Sequence, residues 1–352
     1  MASISPRGRR LRQSDIAERA GVSQAVVSWV VNDRVGKDAR ISGETRQRVL
    51  DAIDELGYVV DPAAQSLAGG RTGILGVYTF ESVFPVDHRD FYYPFLLGIE
   101  EEAEAQGQDL LLFTSAAGED RQRSIYHGGI NRLRRTDGCV LLGKEGSKDE
   151  LVRLVADEFP FAFVGRRDVP GVEVSFVAAD YAGGAADVVV HLASLGHRRV
   201  GYISYTNRIE SVIDREVGFV QGAADAGFAA EAAPVERVDH ENVDRHAIER
   251  LLAGGLTAIV VHDVRLVEPV RQAAGARGWH IPDDLSLAVL EDPPPVGEGP
   301  ALTGFAIPRR QMGAVALRLL IERLNAGDAA VRQVVLDCPL VVGETTGPVR
   351  RP

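Results

Sequence analysis

The residues able to do chemistry in this 352-residue chain are few, and their spacing suits binding better than catalysis. Gly138-Cys-Val-Leu-Leu-Gly143-Lys144 has the outline of a phosphate-binding loop. Glu145, however, stands where a Ser or Thr must hold Mg²⁺, and the apolar interior reads as a strand. There is no Gly-x-Ser-x-Gly elbow, no His-Glu-x-x-His and no zinc spacing. His240 and His246 lie six apart, which is poor spacing for one helix face. Cys139 and Cys338 sit inside apolar runs, so neither a disulfide nor a metal site is expected, and no cofactor is called for. What the chain does offer is a face for reading base edges. Gln24, Ala25, Ser28 and Trp29 share one side of a helical pattern, and Val27, Val30 and Val31 share the other. Glutamine pairs bidentately with adenine, and alanine contacts the thymine methyl.

That face needs a scaffold. Ser14 reads as the cap of a helix over residues 15–20, Gly21-Val22 as a turn, and Ser23 as the cap of a second helix reaching Asn32. Ser42 caps a third, in which Val49, Ala52, Ile53 and Leu56 repeat at helical spacing until Gly57 stops it. Two helices joined by a tight glycine turn and braced by a third form a helix-turn-helix, whose second helix enters the major groove. Asp61-Pro62 to Gly69 then describes a helix of under two turns, too short to stand alone.

From Thr72 the pattern alternates. Apolar runs at 74–78, 110–113, 139–142, 161–164, 200–203, 258–261 and 285–290 read as buried parallel strands. Helical stretches at 95–105, 180–195, 217–226 and 264–276 lie between them, so the body is doubly wound α/β, long enough for two lobes. Segments 302–307 and 334–342 are placed to carry the chain back between those lobes. The expected organisation is a DNA-binding domain over 1–60, a hinge over 61–71 and a sensor over 72–352.

Charge agrees with this division. The net charge is −11, yet residues 1–50 carry ten basic and five acidic side chains, a local +5 that leaves −16 for the rest. A basic head on an acidic body suits a molecule that meets phosphates at one end. No apolar run approaches a membrane span, and the first twelve residues lack a secretory apolar stretch, so a cytoplasmic location is expected.

Read together, these residues resemble the lactose-repressor (LacI/GalR) family of transcription regulators over essentially the whole chain. The head carries Asp15-Ile16-Ala17, Ala20-Gly21-Val22-Ser23, Val27-Ser28-x-Val30-Val31-Asn32 and Glu55-Leu56-Gly57-Tyr58. Ala64-Gln65-Ser66-Leu67-Ala68-Gly69 resembles the family hinge. In the body, Phe163-Val164-Gly165-Arg166, Leu195-Gly196-His197-Arg198-Arg199, Arg215 with Gly218-Phe219, and Gly343-Glu344-Thr345-Thr346 look like family signatures. The resemblance implies a homodimer on a palindromic double-stranded operator, acting as a repressor, with hinge residues Ala64 and Leu67 in the minor groove. It puts Ser14, Ser23 and Asn32 near phosphates beside the reading face. It also implies a periplasmic-binding-protein-like sensor with a small-molecule effector, sugar-like or purine-like, between its lobes. Phe91 and Tyr92 would approach that effector from the first lobe, and Arg166, Ser211, Arg215, His262 and Glu291 from the second. Arg215 would offer a fork of donors, with Ser211 one turn earlier; Asp263 reads as a helix cap.

The chain has its own departures. Trp29 stands where most members have Arg, Val26 replaces Thr, and Leu290-Glu291-Asp292 replaces an aromatic-Asp-Asp pattern. A small-molecule-binding protein without DNA function would share the body but leaves the basic head unexplained; an enzyme acting on sugars or nucleosides has no catalytic motif to support it.

Overall fold

The computed structural model describes residues 11–31, 41–58, 71–81, 91–114, 123–143, 146–240, 242–293, 299–326 and 330–349. They form two units, one up to Ile74 and one from Leu75 onward. The first holds helices α1 (Gln13–Ala20), α2 (Gln24–Val31) and α3 (Gly43–Leu56). Ile16, Ala17, Ala20, Val27, Val30, Val49 and Ala52 close a small core between them. Gly21, at φ 65°, turns the chain sharply enough for α2 to begin three residues later. The Ser23 and Ser42 hydroxyls accept from Val26 N at 3.4 Å and Thr45 N at 3.2 Å, as caps should. Ser14 does not cap α1. The helix starts at Gln13, and Asp15 Oδ2 instead takes the Arg12 N–H at 2.7 Å, leaving Ser14 exposed in the first turn.

The second unit alternates strands and helices. In order these are β1 (Ile74–Thr79), α4 (Tyr93–Ala105), β2 (Asp109–Phe113), the hairpin β3 (Tyr126–His127) and β4 (Ile130–Asn131), β5 (Cys139–Leu142) and α5 (Lys148–Ala156). There follow β6 (Phe161–Val164), β7 (Phe176–Ala179), α6 (Tyr181–Ser194), β8 (Val200–Tyr205), α7 (Glu210–Asp225), β9 (Val235–Val238) and α8 (Arg245–Ala253). The chain ends with β10 (Ala258–Val261), α9 (Val267–Gly275), β11 (Ser286–Val289), β12 (Gly304–Phe305), α10 (Arg309–Ala326), β13 (Gln333–Leu336) and β14 (Leu340–Val341).

Two of the resulting sheets are large, each the centre of a lobe. The first has the order β13-β7-β6-β5-β1-β2 and the second β11-β10-β8-β9. The pairings of β13 with β7, β7 with β6, β6 with β5 and β5 with β1 are parallel, as are all three in the second sheet. Doubly wound α/β is therefore the observed architecture. The chain passes between lobes after β7, again through β12 into α10, and a third time between β13 and β14, with β12 and β14 paired antiparallel. The two late segments do connect the lobes, and the second splits into one strand of the first sheet and one of the crossing pair.

Some elements differ from the sequence reading. Strands β7 and β9 and helices α5, α8 and α10 went unanticipated. Leu110 and Leu111 are exposed, because β2 is the edge of its sheet and not an interior strand. Helix α7 begins at Glu210, a full two turns before the apolar run that marked it. Among the described residues no helix is long and apolar enough to cross a membrane.

Close helix contacts fix each lobe. A Cβ on Gly98 of α4 would collide with the Arg310 carbonyl of α10, and one on Gly313 with the Phe95 carbonyl. Gly218 of α7 meets the backbone of Ala182 in α6 in the same way. Backbone cannot yield as a side-chain tip does, so added methyls must part the helices. Gly98→Ala is expected to cost about 1 to 3 kcal/mol despite alanine's better helix propensity. A lowered urea midpoint at unchanged slope checks this; an unchanged or raised midpoint contradicts it.

Candidate functional site

On α2 the expected reading face is presented outward. Gln24 and Ala25 are exposed, Ser28 and Trp29 half-buried, and Ser14 and Ser23 exposed nearby. Trp29 is not part of the core cluster that Val27 and Val30 enter. An indole so placed offers one N–H donor and a wide apolar face, with no charge. Asn32, Ala64 and Leu67, together with the proposed hinge helix, lie outside the described residues.

In the second unit a cavity of about 830 Å³ opens between the lobes. It collects the ends of parallel strands, where such sheets bind ligands. Phe80 and Glu81 follow β1, Thr206 and Asn207 follow β8, Asp239 and His240 follow β9, His262 and Asp263 follow β10, and Glu291 follows β11. Helix α7 adds Ser211 and Arg215, the crossing segment adds Ile307 and Arg309, and Phe91 and Tyr181 supply aromatic walls.

Arg215 is 6% exposed and has no carboxylate partner among the described residues. Its Nε donates to Leu290 O at 2.7 Å and Nη1 to Ser211 O at 2.9 Å, and its guanidinium lies 3.7 Å over the Tyr181 ring. Part of the expected fork is thus committed to backbone, and only the rest faces the cleft. His262 Nδ1 sits 2.9 Å from Tyr202 OH. Burial holds the Tyr202 phenol well above its usual pKa, so it keeps its proton. Asp263 does cap, but a 3₁₀ turn (Val264–Leu266), accepting Arg265 N at 3.1 Å as well as Tyr205 OH at 2.9 Å. Burial would raise its pKa, yet the Arg265 guanidinium, His262 and the Tyr205 hydroxyl outweigh that and hold it below the ordinary carboxylate value.

The remaining expected residues fall elsewhere or are shared. Glu291 lines the cleft and takes Arg309 Nη2 at 3.3 Å and Val264 N at 3.3 Å. Tyr92 is buried with its hydroxyl on Glu81 and borders only a smaller adjoining cavity. Arg166 also borders that smaller cavity, since its Nε and Nη2 are drawn onto Asp214 at 3.1 and 2.7 Å. Arg166 moreover belongs to the first lobe, directly after β6, and not to the second. Of the residues that went unnamed in the sequence, Asn207 and Asp239 follow the rule of strand carboxyl ends, whereas Arg309 opens α10 after the crossing segment. Asp239 was hidden because β9 has no apolar run to announce it.

A basic three-helix DNA reader and a two-lobed α/β body with a polar cleft define the class: a transcription regulator that joins a DNA-binding unit to a ligand-binding domain. Residues 14–61 match the family described as bacterial regulatory proteins, lacI family, and residues 189–346 match the periplasmic binding protein-like domain. The HTH-type transcriptional regulator DegA of Bacillus subtilis is 29% identical over 343 residues, covering 95% of this chain and 98% of that one. CelR of Thermobifida fusca is 28% identical over 346 residues, covering 96% and 99%. Among solved structures, the lac repressor dimer bound to operator and the anti-inducer ONPF has a TM-score of 0.66 at 22% identity, with 96% and 100% covered. The chain belongs to the LacI/GalR family of DNA-binding transcription regulators.

Two predictions come from this geometry. Trp29→Arg is expected to shift operators selected from a random pool toward guanine at one position per half-site, because Arg pairs bidentately with guanine and indole cannot. Identical selected motifs would show that Trp29 does not read DNA. Asp263, with its depressed folded pKa, stabilises the protein fully above its unfolded value near 4 and loses that contribution as pH falls through the folded value. The melting-temperature gap between the parent and Asp263→Asn should therefore narrow as pH drops below about 4; a gap constant with pH contradicts it.

Proposed function

We propose that this regulator is a cytoplasmic, homodimeric repressor of a palindromic operator, switched by a neutral polyhydroxylated ligand of sugar type held in the cleft. One observation carries the ligand class. Asn207 Oδ1 lines the cleft, is buried, and has no hydrogen-bond partner among the described residues. A buried acceptor left unmade costs about 1 to 3 kcal/mol, and a ligand hydroxyl would relieve it. The rest of the lining fits the same chemistry. Arg265 is matched by Asp263 and Arg309 by Glu291, so these cations ask for no ligand charge. Phe91, Tyr181 and Tyr205 give flat apolar faces for C–H edges, while Arg215, Ser211 and Asp239 lie beside them for hydroxyls. Among similar proteins, a CelR structure was solved with cellobiose, at 24% identity and a TM-score of 0.66, and MalI of Escherichia coli is named for the maltose regulon. Binding to operator would come from Gln24, Ala25, Ser28 and Trp29, with Ser14, Ser23 and Asn32 on phosphates and Ala64 and Leu67 in the minor groove.

A thermal-shift panel of cellobiose, maltose, ribose and hypoxanthine on the full chain tests the ligand class. A sugar at one hundred times its dissociation constant should add about 2.7 kcal/mol of stability, and Arg215→Ala should abolish the shift while keeping operator binding. Stabilisation by hypoxanthine alone would overturn the sugar reading. Removing residues 1–60 should abolish operator binding and leave the sugar shift intact; DNA affinity retained in that deletion would overturn the division of labour.

A further inference from the structure

Helix α7 turns two rows of side chains in two directions. Ser211 and Arg215 line the cleft. One residue ahead of each, Glu210 and Asp214 reach instead to the first lobe. Glu210 is 6% exposed, and three first-lobe donors converge on it: Lys148 Nζ at 3.0 Å, Asp168 N at 3.2 Å and Arg167 Nη1 at 3.5 Å. Arg167 is itself buried, with its other Nη on Gly143 O and its guanidinium 4.2 Å over the Phe163 ring. Asp214 accepts the Arg166 fork at 2.7 and 3.1 Å, and Arg166 is steadied by Asp168. Paired forks of this kind fix orientation as well as distance.

We propose that Glu210 and Asp214 are positioning residues: they clasp the first lobe to α7 and set how closely the cleft closes over Ser211 and Arg215. The two rows lie on one rigid helix, one residue apart, so a shift of α7 toward a ligand must move both clasps. Burial disfavours the Glu210 charge, but its backbone N–H, Lys148, Arg167 and Asp168 hold the carboxyl below its ordinary pKa, so the clasp is charged at neutral pH. A buried pair broken on one side leaves an uncompensated charge. The lobe arrangement is thereby restricted to states in which both acids keep their partners. Control of ligand response rests on the cleft being the effector site, whereas the clasp is a property of the protein without ligand.

The test uses the full chain with no ligand and spin labels at Asp149→Cys on α5 and Gln221→Cys on α7. Both positions are exposed, and the native Cys139 and Cys338 are buried. The parent background should show one narrow distance population. Glu210→Gln with Asp214→Asn should move the mean by more than the parent width and broaden it. Arg166→Asp alone should do the same in smaller degree, and Arg166→Asp with Asp214→Arg should restore the parent distribution. Should Glu210→Gln fail to fold, Asp214→Asn alone, at a 22% exposed side chain, carries the same comparison. Distributions unchanged by loss of the acids, or a folded charge swap that restores nothing, would overturn the clasp. Since no sugar is present, failure of the thermal-shift panel leaves this result standing, and failure here leaves the ligand class standing.

Discussion

Arg215 sits in a place where a guanidinium has no obvious right to be, and the cleft depends on how it is held. An unpaired buried charge is costly unless hydrogen bonds replace its water. Here the replacement comes from three directions: the carbonyl ending the last strand of the second sheet, the carbonyl of Ser211 one turn back, and the π-face of Tyr181 where the chain first enters the second lobe. Phe305, in the crossing pair of strands, lies on the same cation at 5.8 Å. One side chain thereby ties α7, β11, the start of α6 and the crossing segment to a common point. Each of those pieces lines the cleft, so their mutual geometry and the guanidinium's satisfaction are the same fact.

The parallel sheets supply the rest. Every strand of the second sheet delivers its carboxyl end to one edge, and the residue or two after each strand decides the lining. That edge receives acids, imidazoles and an amide in succession, with arginines folded back on the acids. The outcome is a cleft rich in hydrogen-bonding groups whose charges are largely answered from within. Such a surface discriminates by direction of hydrogen bonds more than by charge. The family consists of transcription regulators.

The DNA reader follows a different economy. A unit of this size buries little apolar surface, and its core is a handful of small side chains. Serine caps and left-handed glycines at both ends of short helices therefore carry a larger share of its definition. The four valines of α2 are turned to this core, which leaves Gln24, Ala25, Ser28 and Trp29 on the other side of the helix.

The sequence by itself determined the helix-turn-helix, the change to alternating strands and helices at about residue 72, and the parallel class of the body. Those features are local: caps, glycine turns and apolar runs are written in neighbouring residues. Strands β5, β6 and β10 matched their apolar runs residue for residue for that reason. Arg215 and Ser211 came from the family resemblance and not from a local pattern, since the helix that carries them begins at Glu210, seven residues before the stretch that marked it. Strand β9, with Glu236 and Arg237 inside it, shows no such run, and the start of α7 is polar because two rows of that turn face charges and a cleft. Tertiary structure alone decided that Arg166 belongs to the first lobe and turns to Asp214, that Tyr92 spends its hydroxyl on Glu81, and that Arg309 reaches Glu291. Partners such as Arg166 and Asp214 are 48 residues apart, and no local pattern records which of several nearby charges a long side chain will meet. That choice is made only when the lobes come together and burial penalises any charge left without a partner.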